Sequence, residues 1–281
     1  MDILITGGMG MLGRTLARRL GVQHRVMQAD LPGTDILDPV ALDAAFSSFR
    51  PDAVVHCAAM VNVDKCESAA EAAFLLNETG SANVADACRK FNSRLVAIST
   101  DYVFDGGKDA PYSEGDACAP RTVYGASKLA GERAVFSVLP EAVALRIAWL
   151  YGKGGPSFVH TMAALGKTPG PALKVVDDQR GNPTSADAVA DVVEFLLGRP
   201  DICGVVHGTC EGGCSWYEFA LELFRLLGIK RELRPCTTAE FPRPAPRPAN
   251  SALEKRVLKA AGFTPRDWQV CLSEFVASES F

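Results

Sequence analysis

No stretch of this sequence approaches the ~20 consecutive apolar residues that a membrane-spanning helix needs. Charge of one sign is equally scarce. The chain carries 29 basic and 33 acidic residues, a net charge of −4, which leaves no cationic field to attract nucleic acid or an anionic membrane. An anionic nucleotide would have to be held by local groups such as helix N-termini. No charged leader precedes the short apolar run after Met1, so no targeting segment is read and a cytoplasmic location is expected. The nine cysteines include no C-x-x-C pair, and scattered thiols of this kind read as free and buried. His207, Cys210 and Cys214 form the tightest cluster. Their spacing is not that of a zinc finger and Gly212-Gly213 marks a turn, so no metal is expected. Repeats and low-complexity tails are also missing.

What is present is an alternation of short apolar runs and helical periods. Asp2–Thr6, Arg25–Asp30, Ala53–Cys57, Leu95–Ser99 and Val143–Ala148 read as buried strands, because a continuous apolar run bounded by turn residues suits a strand covered on both faces. Gly13–Leu20, Val40–Phe49, Ala69–Phe91 (one long helix or two) and Val123–Val138 read as the helices between them. The pattern predicts an α/β fold: a doubly wound parallel sheet of Rossmann type with a smaller C-terminal substrate-binding lobe. We expect residues 1–151 to form the dinucleotide-binding domain. Residues 152–281 are expected to form mainly the substrate lobe, with segments such as Val205–His207 returning to the sheet. In that lobe Phe158–Leu165, Ser185–Leu197 and Ser215–Leu227 read as helices, Leu173–Val176 as a strand, the proline-rich Phe241–Pro248 as an extended loop, and Ala252–Ala261 as the last helix.

Three motifs carry chemistry. Gly7, Gly10 and Gly13 lie between the first strand and the first helix. Glycine there permits a tight turn and lets the backbone approach a pyrophosphate, with Met11 and Leu12 inside the same turn. The helix N-terminus adds free N–H groups and partial positive charge. Asp30 ends the second strand, where a carboxylate accepts hydrogen bonds from ribose hydroxyls and repels a 2′-phosphate. Either NADH or NADPH is expected as cofactor, with Asp30 leaning towards NADH. Asp35 and Ile36 follow as candidates to face the adenine.

The third motif is Tyr124-Gly125-Ala126-Ser127-Lys128. Its tyrosine and lysine stand one helical turn apart and share a face. A neighbouring cation lowers a phenol's pKa and suits it to proton transfer. Ser99-Thr100-Asp101 ends the fourth strand, on the side where open parallel sheets bind ligands, and a hydroxyl there can hold the same substrate oxygen.

These motifs resemble the extended short-chain dehydrogenase/reductase superfamily. Finer words resemble its dTDP-4-dehydrorhamnose reductase family. They are Ser99–Gly106, Tyr124–Glu132, Arg146–Gly152, Asp178–Thr184 and Arg247–Ser251, and the likeness runs from Met1 to about Trp268. The resemblance implies that Tyr124 is the general acid, that Lys128 tunes it and holds the nicotinamide ribose, and that Thr100 contacts the substrate oxygen. It implies that Ser99, Ala58, Ala59 and Met60 line the cofactor and that Asn77 braces the site. Asp101, Trp149, Asn250 and Ser251 would meet the sugar nucleotide. The implied reaction reduces the C4 ketone of dTDP-4-keto-L-rhamnose. Some members hold magnesium at a dimer contact through C-terminal acids; those acids find no match here, so neither that metal nor that dimer is expected, and the chain is read as a monomer or homodimer.

Two other readings stay open. Nucleotide-sugar dehydratases of the superfamily place an Asp-Glu pair after the threonine, whereas Thr100 is followed by Asp101-Tyr102, which weighs against dehydration; an epimerase would likewise need further acid–base groups. A regulatory subunit with the fold and no turnover is the other reading, and the intact Thr100, Tyr124 and Lys128 weigh against it.

Overall fold

A computed structural model describes all residues, Met1–Phe281. Six strands form one sheet: β1 (Asp2–Thr6), β2 (Arg25–Ala29), β3 (Ala53–His56), β4 (Arg94–Thr100), β5 (Val143–Ile147) and β6 (Gly204–His207). Their spatial order is β6-β5-β4-β3-β1-β2, and every pairing is parallel. Ile3, Leu4 and Ile5 are wholly buried, which is why β1 shows no polar alternation.

Helices cover both faces. On one side α1 (Met11–Leu20) and α6 (Ala186–Leu197) bury Leu16, Leu20, Val189 and Val193 against Ile3, Ile5 and Val55. On the other, α2 (Pro39–Phe49), α3 (Gly80–Phe91) and α4 (Val123–Val138) bury Phe46, Val84 and Val135 against Leu4, Val54 and Leu95. The chain leaves β1 for β2 on one side and then returns past β1 to β3. The carboxyl ends of β1 and β3 therefore flank a topological switch point, where such sheets bind ligands.

The remaining segments form an apolar cluster of their own. In it α5 (Phe158–Lys167), α7 (Trp216–Leu227) and α8 (Trp268–Ser278) pack Val159, Met162, Phe219, Leu223, Trp268 and Phe275 around Tyr151. Helix α7 starts at a capping box between Ser215 and Glu218 and stops at Gly228 in the left-handed region, as its sequence predicts. No helix is long and apolar enough to cross a membrane.

The structure corrects two expected elements. The expected helix over Ala252–Ala261 is only Arg256–Ala260, because Tyr112 N donates to Ala252 O and Glu254 N to Tyr112 O, holding Ala252–Glu254 extended. Beyond it lies α8, which the sequence reading omitted. The stretch Ala69–Phe91, expected as one long helix or two, is divided by a π-turn over Leu75–Thr79 that the reading did not foresee, and that wider turn carries Asn77 into the interior. π-turns of this kind concentrate at functional sites.

Candidate active site

The switch point is built from glycine and backbone. Gly7 has φ +64°, and a Cβ there would lie 2.6 Å from Ala58 N, so the turn after β1 and the segment after β3 approach as only glycine permits. Helix α1 begins without a side-chain cap at Gly10, leaving its first N–H groups free for an anion. Met11 lies beneath Gly152 and Gly155, whereas the Leu12 side chain is in the core; Leu12 can offer only its backbone.

Asp30 Oδ2 accepts the Met9 N–H at 2.8 Å and Oδ1 the Leu31 N–H at 2.8 Å. Its carboxylate therefore stiffens the glycine turn and keeps lone pairs for ribose hydroxyls. Asp35 Oδ1 accepts the Leu37 N–H, and Ile36 is buried against Gly80; that side chain is core packing, so only its backbone can border an adenine. The free N–H groups, the glycine approach and Asp30 together fit a dinucleotide.

Asn77 ties the segment after β3 to the catalytic helix. Its Oδ1 accepts Met60 N–H at 2.7 Å, while Nδ2 donates to Met60 O at 3.1 Å and to Ser127 Oγ at 2.9 Å. Thr122 caps α4 by accepting the Gly125 N–H, and a side chain at Gly125 would collide with the Tyr102 carbonyl. Both constraints seat Tyr124 in the first turn, against the end of β4.

There burial raises the pKa of the Tyr124 phenol, while the Thr100 hydroxyl draws it down less strongly, and Asp101 and Cys66 add to the rise. Burial, not Lys128, dominates the phenol's titration. The Lys128 Nζ donates to Ile98 O at 2.8 Å, and burial lowers the ammonium to about 8. A buried phenol resists ionisation. Tyr124 thus remains protonated at neutral pH, the form a proton donor needs. Asp101 is raised to about 6 by burial, with Ser251 and Thr100 hydroxyls pulling the other way. Tyr102 meets Tyr124 edge-on with ring centroids 5.6 Å apart.

Three implied contacts stand differently from the expectation. The Ser99 hydroxyl points away from the cofactor crevice and donates to Glu132 Oε1. Asn250 is a brace, donating to Lys108 O at 2.7 Å and Ala110 O at 3.2 Å, which leaves its amide little to offer a sugar. Ser251 is buried beside Asp101. Trp149, at φ +45°, stacks on Trp216 with centroids 3.5 Å apart. Trp216, Tyr102 and Glu132 are neighbours that sequence reasoning did not name as site residues. Tyr102 and Glu132 carried a signal, Tyr102 inside the Ser99–Gly106 word and Glu132 one turn beyond Lys128.

Comparison with known proteins agrees with this geometry. The family model described as the RmlD substrate binding domain matches residues 1–281. A protein of Streptomyces antibioticus described as a probable dTDP-4,6-dihydroxy-2-methyloxan-3-one 4-ketoreductase is 44% identical, over 98% of this chain and 94% of its own. The dTDP-4-dehydrorhamnose reductase of Streptomyces griseus is 43% identical, over 96% of this chain and 91% of its own. The crystal structure of the Bacillus anthracis dTDP-4-dehydrorhamnose reductase in complex with NADP superposes with a TM-score of 0.95 at 35% identity, covering 99% of both chains. With its full-length match and its Thr100–Tyr124 pair above a dinucleotide turn, the chain belongs to the RmlD family, that of the dTDP-4-dehydrorhamnose reductases.

Proposed function

We propose that the protein is a reductase that adds hydride to the C4 ketone of a dTDP-linked 4-keto-6-deoxy sugar, with dTDP-4-dehydro-L-rhamnose as substrate and dTDP-L-rhamnose as product. The observation that carries this reading is the Tyr124 phenol, kept protonated by burial and influenced by Thr100 at the carboxyl end of β4, in a fold whose glycine turn after β1 closes on Ala58. A nicotinamide dinucleotide supplies the hydride when bound. Tyr124 gives its proton to the ketone oxygen as negative charge develops there. Thr100 orients that oxygen, and Lys128 holds the nicotinamide ribose. Trp149 offers an aromatic face to the sugar nucleotide, and Asp101 a polar group at the reacting end.

Asp30 supports NADH, because a carboxylate at the adenosine ribose disfavours a 2′-phosphate. The Bacillus anthracis relative was solved with NADP, so both forms belong in the assay. The reading carries a cytoplasmic location and a monomer or homodimer. A second substrate is favoured by the Streptomyces antibioticus relative, whose description names a different dTDP-linked ketosugar.

The test supplies dTDP-4-keto-L-rhamnose, made from dTDP-glucose by the upstream dehydratase and epimerase, and follows oxidation of NADH and NADPH separately. Turnover that disappears in Tyr124→Phe supports the assignment. Tight cofactor binding without turnover overturns the substrate and points to another ketosugar or to a binding subunit.

A further inference from the structure

Behind Lys128 lies a buried ion pair that the reaction does not use directly. Glu132 and Arg146 are 5% and 3% exposed. Arg146 Nε donates to Glu132 Oε1 at 2.9 Å, and Nη2 to Oε2 at 2.7 Å. The Ser99 hydroxyl donates to the same Oε1. Burying two charges costs several kcal/mol per ion, and apolar residues of similar volume often stabilise a core better. A pair kept in that position invites a role other than stability.

Two geometric facts indicate the role. Glu132 follows Lys128 by one helical turn, on the same face. Ser99, which Glu132 holds, lies between Ile98, whose carbonyl receives the Lys128 ammonium, and Thr100, whose hydroxyl meets Tyr124. The carboxylate thus grips the strand end through Ser99 and stands one helical turn behind Lys128.

We propose that Glu132, held by Ser99 and Arg146, is a positioning residue that keeps the Lys128 ammonium charged and fixes the Ile98–Thr100 strand end against the catalytic helix. This rests on the reductase reading of the same site.

The charges around Lys128 support the assignment. Glu132 and Cys57 raise its pKa against burial. Burial pushes the Cys57 thiol up to about 12, so it is neutral at working pH and carries no charge. His56, on β3, is lowered to about 3 by burial and by Lys128 itself, so it too is neutral. Arg146, on β5, donates to Glu132 through Nε and Nη2 and so holds its carboxylate ionised. Glu132 is therefore the anion that sustains this cation.

The test measures NADH binding by fluorescence from pH 6 to 10, which needs no sugar substrate. In the wild type, affinity should fall along an alkaline limb that Lys128→Met abolishes. Glu132→Gln combined with Arg146→Met removes the pair without leaving a lone buried charge; it should move that limb down by about one pH unit. Glu132→Asp keeps the charge, draws it back by one methylene and should give a smaller shift in the same direction. It serves if the double variant does not fold. A limb unmoved in the folded variants, or one that survives Lys128→Met, overturns the proposal. Failure of the wild type to reduce the ketosugar, with the limb behaving as stated, would fault the substrate reading alone.

Discussion

The Thr100 hydroxyl donates to Oδ1 of Asp101 across 3.0 Å, joining the strand-end threonine to a buried carboxyl raised to about 6. Between the ordinary value of 3.8 and about 6, folded Asp101 holds its proton more tightly than the unfolded chain does. Stability therefore falls as pH rises through that window, and above it the buried charge costs about 3 kcal/mol. Asp101→Asn should raise the melting temperature at pH 8 and lose that advantage by pH 4. Equal gains at both pH values, in thermal melts, would show that Asp101 is not the buried charge described.

Tyr124→Phe keeps the ring that packs on Tyr102 and removes the proton donor. The expected loss in kcat is about 10²–10⁴-fold, with NADPH affinity and melting temperature close to wild type. Stopped-flow hydride transfer and fluorescence titration separate the two effects. A variant retaining a tenth of the wild-type rate would mean that the proton comes from elsewhere.

Gly181 lies against the indole of Trp149, whose φ of +45° is uncommon for a bulky residue. Gly181→Ala places a methyl where the ring sits and must displace it from Trp216. KM for the ketosugar should rise several-fold while cofactor affinity holds. If KM for the sugar is unchanged, Trp149 does not touch the substrate.

Asp30→Asn keeps an oxygen for the Met9 N–H and removes the charge that opposes a 2′-phosphate. The ratio of kcat/KM for NADPH over NADH should rise roughly tenfold, about the worth of one hydrogen bond to a charged group. A ratio that stays put would free Asp30 from cofactor choice and leave it the single role of stiffening the turn.

How much of this was legible beforehand follows from the range of each interaction. Asn77 could be named as a brace only through the family resemblance, because the inward turn that lets it reach Met60 and Ser127 comes from a π-turn that no simple helical period announces. Ser99 stood beside Thr100 in a strand-end motif, yet adjacent strand residues face opposite sides of a sheet, and its hydroxyl went to Glu132. The helix Trp268–Ser278 was missed because its buried residues, Trp268, Cys271, Leu272 and Phe275, are spaced in a short segment near the chain end with little polar contrast.

The sequence by itself determined the alternating strands and helices, the glycine turn at the end of β1, and the shared face of Tyr124 and Lys128. Each depends on backbone geometry over a few residues, which spacing encodes. Only the tertiary structure decided the charge states and the contacts that tune them. Burial raises the Tyr124 phenol and Asp101 and lowers Lys128, and desolvation is set by what packs around a group from distant parts of the chain. Likewise the Glu132–Arg146 pair and the Trp149–Trp216 stack join residues from separate elements, and they exist only once the sheet and the lobe have brought those elements together.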